Sequence, residues 1–249
     1  MAGTPFKDHF STQAAEYRRF RPTYPAEIFD WLASVSPVRE RALDVGTGNG
    51  QAAVGLAAHF AEVIATEPSA AQLALAEPHP RVRYAQGTAE HCGLPDASVD
   101  LVTAAQAAHW FDGPRFGAEV RRVLRPGGIV AVWTYETFKA GPPVDALVAQ
   151  FYRDVVGPYW PPERRHVEER YATLTLPYPD IATPSFELRS AWDAGTALDY
   201  LGTWSSVARC RKLRGADPRE LLAPLLREAW GPGPRELRWP IHLRAARAV

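Results

Sequence analysis

The chain is poor in cysteine and has no net charge. Its 249 residues include only Cys92 and Cys210, whose spacing fits neither a metal site nor a redox pair. The 28 basic and 28 acidic side chains balance, so no overall charge attracts nucleic acid or an anionic membrane. No apolar run approaches the ~18 residues that span a bilayer, and the N-terminus lacks the apolar core of a signal peptide. We expect a cytoplasmic protein with no metal, no nucleic-acid partner and no membrane partner.

The hydrophobic content, 46%, is high enough for one sizeable core. Strand and helix signals alternate from residue 41 to 133, which is typical of a parallel sheet with helices on both faces. Alternating apolar residues from Leu237 to Ala245 predict a half-buried strand. Its expected antiparallel partner is the segment around Phe186 and Leu188. Pro240 belongs at an edge or a bulge of this strand because it cannot donate a ladder hydrogen bond.

A short apolar strand leads directly into a glycine-rich turn at residues 43–50, Leu-Asp-Val-Gly-Thr-Gly-Asn-Gly. Glycine permits positive φ and close approach between the backbone and a ligand. The spacing of Gly46, Gly48 and Gly50 is Gly-x-Gly-x-Gly, which differs from the Gly-x-Gly-x-x-Gly of dinucleotide sites. Glu67 ends the next predicted strand 17 residues after Gly50, where a carboxylate can accept hydrogen bonds from both hydroxyls of a ribose.

These segments resemble the class I S-adenosylmethionine-dependent methyltransferases with a type 11 domain. Residues 86–90 look like the loop that this family places against adenine, and Leu-Arg-Pro-Gly-Gly-Ile at 124–129 looks like the turn into its fifth strand. The resemblance implies a Rossmann-like α/β fold: a seven-stranded methyltransferase sheet, mostly parallel with an antiparallel last strand, and helices on both faces. It also implies S-adenosylmethionine as cofactor, with the ammonium group facing Asp44. The implied cofactor-binding residues are Asp44, Gly46, Thr47, Gly48, Gly50, Glu67, Pro68, Thr88, Ala89, Glu90 and Gln106.

Further segments, at residues 10–25, 108–111, 200–205 and 238–240, resemble the subgroup similar to trans-aconitate methyltransferase. This resemblance implies four units: an N-terminal helical lid (1–38), a cofactor-binding core (39–135), an insertion that caps the active site (136–185), and a C-terminal completion of the sheet and helices (186–249). For the insertion, a surface excursion pinned to the core by its aromatic residues is an equal alternative.

Two residues are candidates for the catalytic chemistry, His109 and Arg21. An ionised carboxylate acceptor needs no base, whereas a phenol, an amine or a carbon acid needs one. His109 is expected at the carboxyl edge of strand four, where open α/β sheets bind ligands; alternatively, its imidazole packs against Trp110. Arg21 can grip a carboxylate of the cofactor or substrate, or lie on the surface. Arg209 and Arg211 are further candidates for holding an acidic acceptor.

The expected function is methylation of a small molecule, with O-methylation of a trans-aconitate-like carboxylic acid as the specific hypothesis. N-, C- or phenol O-methylation and a catalytically idle S-adenosylmethionine-binding protein remain alternatives. A nicotinamide-dependent oxidoreductase is disfavoured by the glycine spacing. The acceptor and the oligomeric state cannot be read from the sequence.

Overall fold

A computed structural model describes residues 22–249 of the chain. Arg21 and most of the expected lid lie outside the described residues. The strands are β1 (Arg41–Val45), β2 (Glu62–Glu67), β3 (Val82–Gln86), β4 (Val99–Ala105), β5 (Leu124–Tyr135), β6 (Asp180–Ile181), β7 (Phe186–Trp192) and β8 (Arg235–Arg247). The helices are α1 (Ala26–Val35), α2 (Gln51–Leu56), α3 (Ala70–Leu73), α4 (Gly113–Val123), α5 (Pro142–Gln150), α6 (Arg164–Glu168), α7 (Ala194–Gly202), α8 (Ser205–Arg214) and α9 (Arg219–Trp230).

All eight strands form one sheet in the order β3-β2-β1-β4-β5-β8-β6, and β7 pairs with β8. Strands β1 to β5 are mutually parallel, and β8 runs antiparallel to β5. Strands β6 and β7 pair with successive parts of β8, so together they occupy the place of one interrupted edge strand. This topology confirms the expected mostly parallel α/β sheet with an antiparallel end.

The central strands are buried on both faces, which explains their nearly continuous apolar sequences. Successive side chains of a strand point to opposite faces. Leu101 therefore packs in the core that holds α1, α2 and α7 to α9, while Val102 packs in the core that holds α4. Helix α1 belongs to the first of these cores through Ile28, Phe29 and Leu32, so the described end of the expected lid unit (1–38) is a core helix.

The C-terminal strand pairs as its alternating pattern predicts, with Phe186 opposite Ile241 and Leu188 opposite Trp239. Pro240 lies just beyond the end of β5, whose last residue, Tyr135, pairs with Ile241. The Arg238 N–H points towards the β5 side, where it donates to the Lys139 carbonyl. Since N–H directions alternate along a strand, the nitrogen of Pro240 faces the same side, where the ladder has already ended, and its missing donor is tolerated.

The sequence pattern over 197–207 predicts a single helix, and the structure has two, α7 and α8. Thr203 and Trp204 separate them. The Thr203 hydroxyl donates to the Tyr200 carbonyl at 2.6 Å, and Trp204 is buried in the core. A second predicted helix, over 217–230 with Asp217 as N-cap and Pro218 as first helical residue, is present as α9 but begins at Arg219, with Pro218 as N-cap. The Asp217 carboxylate still accepts from the Arg219 N–H at 3.0 Å.

Candidate active site

The glycine turn between β1 and α2 is tightly enclosed. Gly46, Gly48 and Gly50 all have positive φ, at 64°, 58° and 88°. A Cβ on Gly46 would lie 2.7 Å from the Cβ of Ala107, and one on Gly50 would lie 2.1 Å from the Tyr84 hydroxyl oxygen. A Cβ on Gly48 would meet no atom within 4 Å. The outer glycines are therefore fixed by packing, while Gly48 borders open space.

Asp44 lies beneath this turn and does not line the cavity that the turn borders. Its carboxylate accepts from the Thr47 hydroxyl at 2.6 Å and from the Thr103 hydroxyl at 2.7 Å, and the residue is completely buried. Burial raises the pKa of Asp44 to about 6, against the effect of the two hydroxyl donors. Asp44 thus holds Thr47 in place from below, whereas the family resemblance implies that its carboxylate faces the ammonium group of the cofactor.

Glu67 sits at the tip of β2 with its carboxylate fixed by backbone donors. Its Oε2 accepts from the Gly48 N–H at 3.0 Å, and its Oε1 accepts from the Ser69 N–H at 3.1 Å. The residue is only 7% exposed, yet it borders the cavity. A nearly buried carboxylate at this position is oriented before any ligand arrives.

A cavity of about 510 Å³ opens between these elements, within the ~300–1,000 Å³ range of small-molecule sites. It runs along the carboxyl edge of β1, β2 and β4, where open α/β sheets bind ligands. Tyr24 and the loops after β2, β3 and β4 complete its wall. The predicted site residues that line it are Gly46, Thr47, Gly48, Glu67, Pro68, Thr88, Ala89, Glu90, Gln106 and His109. Gly50, like Asp44, does not line it, because it packs against Tyr84.

Gln106 follows β4 in a strained conformation, with φ at 54°. Its side chain is held at both ends, since its amide donates to the Tyr135 carbonyl at 3.0 Å and its carbonyl accepts from the Thr134 hydroxyl at 2.7 Å. A non-glycine residue with positive φ is costly and persists only where its surroundings fix it, often at functional sites.

His109 lies in a short 3₁₀ helix (Ala108–Trp110) after β4, with 9% of its surface exposed. Its Nδ1 is 2.7 Å from the Tyr171 hydroxyl, and its ring centroid is 4.7 Å from that of Trp110. Burial, reinforced by the electrostatic effect of Arg164 and His166, lowers the pKa of His109 to about 3. The imidazole is therefore neutral and held in place. It packs against Trp110, as one of the two sequence-based alternatives predicts, and it also lines the cavity.

A second, smaller cavity of about 50 Å³ adjoins the first. The two share the wall residues Gln106, His109, Trp110 and Tyr135. The rest of the small cavity's lining comes mainly from the segment after β5 and from α7 and α8: Glu136, Trp160, Pro161, Arg164, Tyr200, Trp204 and Ser205. The proline- and aromatic-rich part of the 136–185 segment thus contributes Trp160 and Pro161 to the lining of this cavity.

Sequence reasoning missed several wall residues, notably Arg164, Glu163 and His166, and it missed Tyr171, whose hydroxyl contacts the wall residue His109. The aromatic stretch around Trp160 was a usable signal, but nothing in the sequence marks Arg164 among the many arginines. The predicted Arg209 and Arg211 are exposed on α8 and line neither cavity. Within residues 22–249, no cluster of three or more histidine, cysteine or acidic side chains is placed to hold a metal ion. In the same range, no helix combines the length and apolar character needed to cross a membrane.

Comparisons with known proteins agree with this architecture. The family described as "Methyltransferase domain" matches residues 43–132. A protein of Dictyostelium discoideum named as a methyltransferase is 35% identical over 218 residues, covering 86% of this chain and 83% of that protein. A solved structure from Anaeromyxobacter dehalogenans, described as a type II methyltransferase, has 50% sequence identity and a TM-score of 0.85, covering 92% of this chain and 98% of that one.

The fold and the site thus define an S-adenosylmethionine-binding α/β enzyme. The chain belongs to the class I S-adenosylmethionine-dependent methyltransferases. Its cofactor is S-adenosylmethionine, and the large cavity suits this group: Gly48 leaves room beside the turn, and the Glu67 carboxylate stands at the strand tip. When bound, this cofactor supplies a methyl group activated on a sulfonium.

Proposed function

We propose that the protein transfers this methyl group to an oxygen of a small carboxylic acid. The observation that carries the proposal is the state of His109 in the wall shared by the two cavities. A base for a phenol or an amine works best with a pKa near the operating pH, and that of His109 is lowered to about 3. A carboxylate is already ionised at neutral pH and needs no base.

The large cavity is the proposed cofactor site. Glu67 accepts hydrogen bonds from the ribose hydroxyls, and Thr88, Ala89 and Glu90 border the adenine. The support for the Glu67 role is that its carboxylate borders the cavity while two backbone donors fix its position. Asp44 acts indirectly in this proposal, by holding the Thr47 hydroxyl and the turn.

The acceptor approaches from the small cavity, so the reacting atoms meet at the shared wall of Gln106, His109, Trp110 and Tyr135. Methyl transfer needs mainly alignment and exclusion of water. Gln106 and His109 are held by hydrogen bonds and can keep the shape of this junction. The segment 136–185 acts as the cap that excludes water, because Trp160, Pro161 and Arg164 roof the acceptor side.

The test measures S-adenosylhomocysteine formation by the full chain with matched acceptors: trans-aconitate as the acid, and a phenol and a primary amine of similar size. We expect turnover with the acid alone, with a rate that does not rise between pH 6 and 8. Methylation of the phenol or the amine but not the acid would overturn the carboxylate assignment. An idle cofactor-binding protein would bind S-adenosylhomocysteine in calorimetry and form no product with any acceptor.

A further inference from the structure

The small cavity is too narrow for a whole metabolite. Its volume of about 50 Å³ is roughly a third of the ~150 Å³ of a cavity that accepts benzene. It therefore suits a carboxylate on a stem of one or two carbon atoms, but not a ring. Whatever enters it must extend into the junction with the large cavity at His109 and Trp110.

The cation in this cavity is Arg164, and its position is fixed by aromatic rings. Its guanidinium carbon lies 4.5 Å from the ring centroid of Trp160 and 5.4 Å from that of Tyr152. Its Nε donates to the Tyr152 hydroxyl at 2.9 Å. The stacking orders the guanidinium before an anion binds. The entropy cost of ordering this side chain on binding is therefore smaller than for a flexible arginine.

Arg164 lacks an acidic partner: in the part of the chain that the structure describes, no carboxylate forms an ion pair with it. Several arginines of similar exposure are paired: with Asp96 and Glu119 (Arg122), Glu40 and Asp100 (Arg125), Asp217 (Arg219), and Asp180 (Arg244). Arg235 and Arg247 also lack an ion pair among the described residues, but their Nη groups donate to backbone carbonyls. The Nη groups of Arg164 remain able to form the two-point contact that guanidinium makes with a carboxylate.

A second donor belongs to Trp160, a residue that lines the same cavity. The indole Nε1 of Trp160 is buried, and within residues 22–249 it has no hydrogen-bond partner. An indole N–H can only donate, and leaving it unsatisfied costs free energy. An anionic oxygen in the cavity would satisfy it.

The one carboxylate in the lining, Glu136, does not oppose this binding strongly. Its Oε1 accepts from the Arg170 Nε at 2.8 Å and lies 3.1 Å from the Nε2 of His242. Arg170 offsets its negative charge. Glu168 is linked to Arg164 through the Tyr152 hydroxyl but lies outside the lining, so Arg164 is the lining cation without an ion-pair partner among the described residues.

We propose that the small cavity anchors a carboxylate of the acceptor that is not itself methylated, with Arg164 and Trp160 as its donors. The acceptor is accordingly a di- or tricarboxylic acid: one carboxylate binds Arg164, and a second, a few carbon atoms away, lies at the junction. This inference rests on the proposed carboxylic-acid function, which it narrows from acids in general to acids with an anchoring second carboxylate.

The test uses calorimetry on the full chain saturated with S-adenosylhomocysteine. Glutarate is the probe, and pentanoate, which replaces one carboxylate by a methyl group, is its matched control. We expect glutarate to bind at least tenfold more tightly than pentanoate. Arg164→Gln should remove that difference, Arg164→Lys should retain part of it, and affinity for S-adenosylhomocysteine should stay within twofold.

Arg165→Gln is the matched control variant, because Arg165 is the exposed neighbour in α6 and lines neither cavity. Its glutarate affinity should equal that of the wild type. Equal binding of glutarate and pentanoate by the wild type, or an unchanged preference in Arg164→Gln, would overturn the anchor. If Arg164 governs glutarate binding but no acid is methylated, the anchor stands and the proposed function fails. If only acids without a second carboxylate are methylated, the proposed function stands and the anchor fails.

Discussion

Replacement of Glu67 by alanine tests the cofactor site most directly. The carboxylate is held in one orientation by the N–H groups of Gly48 and Ser69 at 3.0 and 3.1 Å, and the residue borders the cavity. Hydrogen bonds to charged groups contribute about 1.5–3 kcal/mol each, and water replaces part of that in the variant. We expect a net loss of about 1–3 kcal/mol. At about 1.4 kcal/mol per factor of ten, the Kd for S-adenosylhomocysteine rises about 5-fold to about 150-fold.

Weaker binding in Glu67→Ala could come from loss of a contact with the ribose or from loosening of the glycine turn. Calorimetry with S-adenosylhomocysteine and with its 2′-deoxy analogue distinguishes these two causes. If Glu67 binds the ribose, the wild type discriminates between the two ligands and Glu67→Ala does so much less. Glu62→Ala is the control, since Glu62 begins the same strand about 17 Å away at ~3.3 Å per residue. An unchanged affinity in Glu67→Ala, or equal discrimination in both proteins, would refute the ribose assignment.

Three further outcomes follow from the site. Gly50→Ala should lower the free energy of unfolding by about 1–3 kcal/mol in urea titrations, because its Cβ would overlap Tyr84. Gly48→Ala should lower the free energy of unfolding less, but it should weaken S-adenosylhomocysteine binding. Equal losses of stability in the two variants would contradict the packing argument. His109→Ala should keep kcat/KM for an acid acceptor within about tenfold, since loss of a true base costs ~10²–10⁴. The difference in free energy of unfolding between the wild type and His109→Gln should shrink from pH 7 to pH 5. The reason is that His109 binds a proton near pH 6.5 in the unfolded state, whereas the buried imidazole does not bind one above about pH 3. A difference that stays constant with pH would refute the lowered pKa.

The cofactor half of the site was predictable because its chemistry lies in short local patterns. Three glycines spaced two apart require positive φ in a strand-to-helix turn, and all three adopt it. Glu67 ends β2 as the spacing from Gly50 predicts. The spacing does not show whether a side chain borders the cavity or lies beneath it. Asp44 and Glu67 both lie at the carboxyl end of a strand, yet only Glu67 lines the cavity. The hydroxyls of Thr47 and Thr103 keep Asp44 below the turn.

The sheet was predictable from periodicity, including the antiparallel strand that contains Pro240. The break between α7 and α8 was not, because apolar residues continue on both sides of it. Trp204 ends the pattern by packing against Tyr152 and Trp160, which are distant in sequence. Tertiary contacts determine such a break, because packing overrides the intrinsic helix propensity of the local sequence.

Arg164 shows why the acceptor half resisted prediction. The chain is rich in arginine, and most of these side chains are surface charges or ion-pair partners. Arg209 and Arg211 looked equally suitable in sequence and prove to be exposed. What distinguishes Arg164 is the pair of rings that hold it, Tyr152 and Trp160, and its place beside the cavity. None of these relations has a fixed spacing that a motif can encode.

The two halves of the site therefore depend on different parts of the chain. The cofactor cavity is built on strand ends and turns whose backbone hydrogen bonds belong to the sheet. The proposed acceptor cavity is lined in part by irregular turns and the short helix α6, where aromatic side chains pack against one another. Changes in that roof can alter the acceptor without disturbing the sheet, since function is determined by the site and not by the fold. This is the physical reason why membership of the family specifies the cofactor, while identification of the acceptor requires residues such as Arg164 to be tested individually.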